Sequence, residues 1–290
     1  MFEDALTGVG IWSGGLRYGQ PTETGEAAAE LDELGYQALW LPDVGGGLFE
    51  ACEALLQATR RTTIATGILN LWFHEAAETA ERYHTFTAAY GERFLVGIGV
   101  SHQVLIEGLG AGEYVKPYSR MVAYLDELDA LDDPLPVGAR LLAALGPRMI
   151  ALAGERAAGT HPYLGTPDLT KRTRDQLGAG PLIAPEQAVV LETDPTRARE
   201  IARAHLSMYL PLPNYANSIM RAGFAESDLA DGGSDRLVDR LVAWGDESAI
   251  AARVQEHRDA GADHVCLQVL TGDPVALPRD EWRRLAAAVS

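Results

Sequence analysis

The sequence predicts an α/β fold, a (β/α)8 TIM barrel with a helical insertion between strands 7 and 8. Two observations carry this. Short apolar runs alternate with helix-length amphipathic segments, the rhythm of repeated βα units on a parallel sheet. Eight such runs can be counted, and eight parallel strands argue for closure into a barrel. Length alone leaves the domain number open, because 290 residues suit two domains of about 150 or one barrel of about 250 with additions. The strand count assigns 1–290 to one domain, with the insertion at about 192–262.

The first run, Gly8-Val9-Gly10-Ile11-Trp12, leads to a helix from about Thr24, where Ala27, Ala28, Leu31 and Leu34 recur at helical spacing before Gly35. The second, Ala38-Leu39-Trp40-Leu41, stops at Pro42-Asp43 and three glycines, and Phe49, Cys52, Leu55 and Leu56 mark the next helix. The third, Thr63 to Leu69, passes through Asn70-Leu71-Trp72-Phe73-His74 to a helix ending near Tyr90. The fourth, Phe94 to Val100, opens into Ser101-His102 and a glycine-punctuated loop through Gly112. Arg140 to Ala144 is the fifth, with a helix opened by Gly146-Pro147, and Gly159-Thr160-His161 is a weak sixth before a helix from about Pro167. Gln187 to Leu191 is the seventh and His264 to Val269 the eighth. The roughly 70 residues between these two exceed a simple βα connection and read as a helical insertion.

Hydrophobic residues at 47% and charged residues at 22% allow a large core. The 24 basic and 41 acidic residues give a net charge of −17, which repels phosphate backbones and anionic lipid, so neither nucleic acid nor a membrane surface is an expected partner. Lys116 and Lys171 are the lysines; the other basic residues are arginine, the better bidentate phosphate clamp. Cys52 and Cys266 form neither a secreted-type disulfide framework nor a metal-ligand spacing, so buried thiols and no metal are expected. Met1-Phe2-Glu3-Asp4-Ala5 lacks the features of a signal peptide, and no apolar stretch nears the roughly 18 residues of a membrane span. The expectation is a cytoplasmic protein.

Chemistry in such barrels gathers at the C-terminal ends of the strands, which directs attention to Trp12-Ser13, Asp43, Asn70 to His74, Ser101-His102, Leu145 to Arg148 and His161. Phosphate-loop, dinucleotide, nucleophile-elbow and zinc-protease motifs are absent. Ala144-Leu145-Gly146-Pro147-Arg148 suits a phosphate: glycine permits close approach, and a helix N-terminus opened by proline presents free N–H groups. The same residues suit an ordinary capped turn, and the sequence leaves both open. Trp12, Asn70 and Trp72 stand where a substrate pocket would be walled, with shell packing the alternative for the tryptophans. Tyr209 to Asn217 forms either a lid or a cover of the rim.

Jointly, Trp40-Leu41-Pro42-Asp43, Ala65 to Asn70, Arg93 to His102, Ala143 to Arg148 and Gly261-Ala262-Asp263-His264-Val265 resemble, in order, the bacterial luciferase-like flavin and deazaflavin oxidoreductases. The branch they resemble most is that of the coenzyme F420-dependent oxidoreductases. The resemblance implies a ring deep in the barrel mouth and a phosphate tail toward strands five and six. It assigns cofactor contacts to Asp43, Gly67, Ile68, Val100, Ser101, Leu145, Gly146, Pro147 and Arg148, with a non-prolyl cis peptide at Gly67-Ile68. Deazaflavin relatives often carry a histidine after the acidic strand-two residue, where this chain has Val44. His102 and His161 are then the catalytic candidates, because histidine titrates near neutrality and can protonate a substrate after hydride arrival; a positioning role is the alternative for each. His74 and His84 are weaker candidates, and His205, His257 and His264 read as structural.

The function so implied is hydride transfer between coenzyme F420 and a small organic substrate, by a homodimer. An FMN-dependent luciferase-like monooxygenase, whose dry pocket would protect an oxygenated flavin, is the alternative. A non-catalytic flavin-binding protein is the third reading. Arg17, Arg148, Arg172 or Arg174 would hold the anionic tail against the acidic background.

Overall fold

Each early strand is buried along its whole length, as strands sandwiched between a barrel interior and a helical shell must be. In the computed structural model, which describes Phe2, residues 6–110 and residues 112–289, β1 (Val9–Trp12) pairs with β2 (Ala38–Leu41) and β2 with β3 (Thr63–Thr66). Met1, Glu3 to Ala5 of the N-terminal stretch and Ala111 of the strand-four loop lie outside the described residues. Between β1 and β2 stand α1 (Gly14–Tyr18), which the periodicity did not predict, and α2 (Pro21–Glu33). Ser13 caps α1 by accepting the Leu16 N–H at 3.2 Å. Then follows α3 (Leu48–Ala58).

The expected run from Thr63 to Leu69 is split. The Gly67–Ile68 peptide is cis, and beyond it β4 (Leu69–Asn70) pairs with β5 (Phe94–Gly99). The helix α4 (Ala76–Tyr90) joins them. After α5 (Gln103–Gly108) and α6 (Pro117–Asp129), β6 (Arg140–Leu142), α7 (Pro147–Arg156), β7 (Gly159–Thr160) and α8 (Pro167–Leu177) continue the order.

The seventh strand begins earlier than its apolar run suggests and is broken at Pro185, giving β8 (Leu182–Ile183) and β9 (Glu186–Val190). This stretch closes the barrel. On one flank Ala184 N–H donates to Thr160 O at 3.0 Å and Glu186 N–H to Pro162 O at 2.8 Å; on the other, Asp263 N–H reaches Ile183 O at 3.0 Å and Cys266 N–H reaches Pro185 O at 2.8 Å. The last strand, β11 (Val265–Val269), pairs with β9 and β1 in parallel.

The insertion is mainly helical, with α9 (Pro195–Leu206), α10 (Pro213–Arg221) and α11 (Asp235–Leu241), but it also carries β10 (Val242–Trp244), paired with the upper part of β9. The next helix, α12 (Glu247–Asp259), belongs to the shell and packs on the C-terminal α13 (Arg279–Val289) and on α8. A second apolar cluster, in which Ala188 and Val190 meet Leu206, Tyr215, Leu237 and Val242, fixes the insertion over the end of strand seven. Among the described residues no helix is long and apolar enough to cross a membrane, and both cysteines are buried and unpaired.

Candidate active site

The segments after the strands enclose a cavity of about 770 Å³. Of the residues singled out in the sequence, Trp12, Asp43, Gly67, Ile68, Val100, Ser101, His102, Leu145 to Arg148 and His161 line it, whereas Ser13 and the run from Asn70 to His74 do not. Asn70 is fully buried, with its side-chain oxygen accepting the Trp72 N–H at 3.1 Å. The Trp72 indole turns inward to Val100 O at 2.9 Å and packs beside Tyr114, so it stands behind the wall it was expected to form.

The floor is built from Gly67, Trp12 and His161. Trp12 Nε1 donates to Gly67 O at 2.7 Å. A Cβ on Gly67 would stand 2.9 Å from the Trp12 ring and 3.1 Å from His161 Nε2, so no side chain fits there without displacing two rings. His161 stacks on Trp40 with centroids 4.3 Å apart, and its Nδ1 lies 2.7 Å from Ala184 O. That contact requires the proton on Nδ1 and leaves the lone pair on Nε2, which has no partner among the described residues.

On the strand-two side, Asp43 is buried. Its Oδ1 accepts the Gly45 N–H at 3.2 Å, and its Oδ2 accepts the Asn70 N–H at 3.0 Å and faces His74 Nε2 at 3.2 Å. His102 precedes α5, with its ring 5.0 Å from that of Tyr215. Ser101, with φ of 56°, turns its carbonyl to the Tyr114 hydroxyl at 3.1 Å.

The surroundings of His102 and His161 move both away from the ordinary histidine value. Burial pushes both down to about 4, opposed in part at His161 by the hydrogen bond to the Ala184 carbonyl. At pH 7 both rings are neutral, and the one N–H of His161 is spent on Ala184 O.

The far side is the N-terminus of α7. Pro147 occupies its first turn, leaving the early N–H groups outside the helical ladder. Nothing stands within 4 Å of where a Gly146 Cβ would be. Arg148 lies over the Tyr118 ring at 4.1 Å, and Arg221 of α10 donates to Leu145 O at 3.2 Å. Among the four arginines expected near the tail, Arg148 lines the cavity. Arg172 instead donates to Arg221 O, Arg17 to Gly45 O, and Arg174 is held by Asp263 at 2.6 Å and by the carbonyls of Gly261 and Pro181.

Sequence reasoning missed an aromatic chamber. Tyr163 donates to Gln268 Oε1 at 2.7 Å, and its hydroxyl lies 3.1 Å from that of Tyr209. His205, read as structural, lines the cavity beside Tyr209, and burial pushes it to about 4. A smaller cavity of about 190 Å³ adjoins, sharing Trp12, His205, Met208 and Gln268. Apart from histidines, the lining side chains that carry charge are Asp43, Arg148 and Arg221. The only sequence signal for the chamber was the aromatic spacing of Tyr209 and Tyr215.

Residues 6–137 match a family model described as luciferase-like monooxygenase. Among solved structures the chain is similar to an F420-dependent secondary alcohol dehydrogenase in complex with an F420–acetone adduct, at 16% identity and a TM-score of 0.74 over 98% of this chain and 99% of that one. It is similar to the coenzyme F420-dependent tetrahydromethanopterin reductase from Methanopyrus kandleri, at 16% identity and 0.72 over 98% of each chain. It is also similar to the oxygenating constituent of 3,6-diketocamphane monooxygenase from Pseudomonas putida in complex with FMN, at 16% identity and 0.68 over 98% of this chain and 97% of that one. No curated protein matches the sequence. The likeness to the solved structures is one of fold, and the luciferase-like resemblance recurs in the family model over the first strands.

Proposed function

We propose that the chain is an oxidoreductase that transfers a hydride between coenzyme F420 and a small organic substrate. The observation that carries this reading is the division of one cavity into a cationic end, at the N-terminus of α7, and an uncharged aromatic end under the insertion. The residues at the first end fit an anionic tail: Gly146 faces open space, the early N–H groups of α7 are outside its ladder, and Arg148 and Arg221 line the same wall.

Bound there, reduced coenzyme F420 would supply a hydride. The chain's own residues do the rest. Arg148 and the first turn of α7 bind the phosphate, with Leu145 and Pro147 beside it. Gly67 and Ile68 support the ring from the floor, while Val100 and Ser101 bound its side. Asp43 Oδ1, carrying one backbone donor, has a lone pair for a donor on the ligand. Trp12, Tyr163, Tyr209 and Tyr215 exclude water from the opposite end, and Gln268 and His205 orient a neutral substrate there. His102 and His161, neutral at pH 7, serve as acceptors that position a ligand.

The test is a fluorescence titration with coenzyme F420 and with FMN, followed by assay on carbonyl and alcohol compounds. Tight binding of coenzyme F420 with hydride exchange is expected. Tight binding of FMN alone would turn the reading to an FMN-dependent monooxygenase, and binding without exchange to a non-catalytic flavin-binding protein. Gly146→Asp has room to fold and places an anion at the tail, so affinity should fall at least about tenfold, near 1.4 kcal/mol. Unchanged affinity would locate the tail elsewhere.

A further inference from the structure

We propose that His74, on the segment between β4 and α4, is a positioning residue for the cavity's acid: paired with Asp43 on one side and Glu78 on the other, it fixes the Asp43 carboxylate so that Oδ1 meets a hydrogen-bond donor, such as a ring N–H, on the bound ligand. The inference rests on the reading that a ring-bearing cofactor occupies the cavity.

The Asp43 side chain is 1% exposed, and a carboxylate so buried is costly unless donors surround it. Two of its donors are backbone N–H groups, from Gly45 and Asn70; the third is His74 Nε2 at 3.2 Å. The other nitrogen, Nδ1, stands 3.5 Å from Glu78 Oε2, one helical turn on, and Glu78 is 44% exposed. The imidazole therefore spans from the buried acid to a carboxylate in contact with solvent. Its ring is held edge-on against Phe49 of α3, with centroids 4.9 Å apart, so the orientation that presents Nε2 to Asp43 is set by packing.

The charged groups around it all favour the protonated ring or balance each other. Asp43 follows β2 and Glu78 lies on α4; beyond Phe49, Arg82 lies over the same ring and pairs with Glu50 at 3.8 Å. Burial by itself would push His74 down, yet the hydrogen bond and charge of Asp43, with Glu78 behind, hold it above the ordinary histidine value. His74 and Asp43 are 31 positions apart, so no local pattern pairs them.

The test follows the ring signals of nitrogen-labelled histidine in the full chain as pH is varied, without ligand. His74 should titrate above the ordinary value of 6.5, fall below it in Asp43→Asn, where burial acts with less opposition, and fall by less in Glu78→Gln. Coenzyme F420 and FMN are then titrated by fluorescence across the neutral range. His74→Gln should weaken the cofactor that binds the wild type by about tenfold and remove the pH dependence that His74 imposes. A His74 titration unchanged in Asp43→Asn overturns the pairing, and unchanged affinity and pH profile in His74→Gln overturn the positioning role. Should His74→Gln fail to fold, the titrations in Asp43→Asn and Glu78→Gln decide. If the wild type binds neither cofactor while His74 titrates as stated, the cofactor reading falls and the pairing stands.

Discussion

His74 and His161 both follow barrel strands, His161 lining the cavity and His74 reaching it through Asp43, and their surroundings move them in opposite directions from the ordinary histidine value. His74 faces two carboxylates and is held above the ordinary value despite burial; His161 faces a carbonyl and a tryptophan ring, and burial pushes it to about 4. The same contrast runs through the halves they belong to. The strand-two and strand-three half is ionic, around Asp43, whereas the half under the insertion is a chamber of tyrosines and neutral histidines. A position after a strand therefore does not define what a histidine can do; its partners decide the direction in which it titrates.

The strongest way to break the comparison is through the floor that His161 shares with Trp12 and Gly67. Gly67→Val would drive a branched side chain into the rings of Trp12 and His161. It should lower unfolding free energy by about 1–3 kcal/mol, as overpacking does, in urea denaturation. Unaltered stability would mean that the two rings can part and that the floor is not a fixed surface.

A smaller effect separates the halves by pH. His102, His161 and His205 have folded values of about 4, below the 6.5 of the ordinary side chain, so the folded state binds fewer protons than the unfolded one in that window. Their contribution to stability is complete above pH 6.5 and is lost as pH falls toward 4. His74 has the opposite sign: its contribution is present below the ordinary value and disappears as pH rises through the folded one. Buried Glu186, pushed up to about 8, likewise loses stability between pH 4.5 and 8. Thermal midpoints should therefore fall on the acid side in the wild type, and Glu186→Gln should raise the midpoint at pH 8 more than at pH 4.5. Equal shifts at both pH values would show that Glu186 is not held protonated.

The smallest expected effect is at His102, whose ring contacts are a tilted approach to Tyr215 and a 3.5 Å contact with Asn214. His102→Gln should reduce cofactor affinity and turnover together, by less than about tenfold each. A fall in kcat alone by orders of magnitude would restore it as a proton donor.

Much of the barrel rim was legible because its residues lie in or just after apolar runs. Asp43 after Leu41, Gly67 within the third run and Gly146 to Arg148 before a helix all reach the cavity for that reason. Asn70 and Trp72 satisfy the same rule and still miss it, since the split after Thr66 turns one into the sheet and the other behind Tyr114. Tyr163, His205 and Arg221 were not legible as site residues. Two of them belong to the insertion, whose seating depends on the second apolar cluster, and Tyr163 is defined by its hydroxyl partners Gln268 and Tyr209, far away in the chain.

The sequence alone determined the alternation of strands and helices and hence the barrel, because burial of a strand or helix face is written in local periodicity. Only the tertiary structure decided where the ring closes, at the broken strand around Pro185, and in which direction each histidine's titration moves. Closure and titration depend on hydrogen bonds and charges brought together from distant segments, such as Asp43 with His74 and Ala184 with His161, and no local pattern records those meetings.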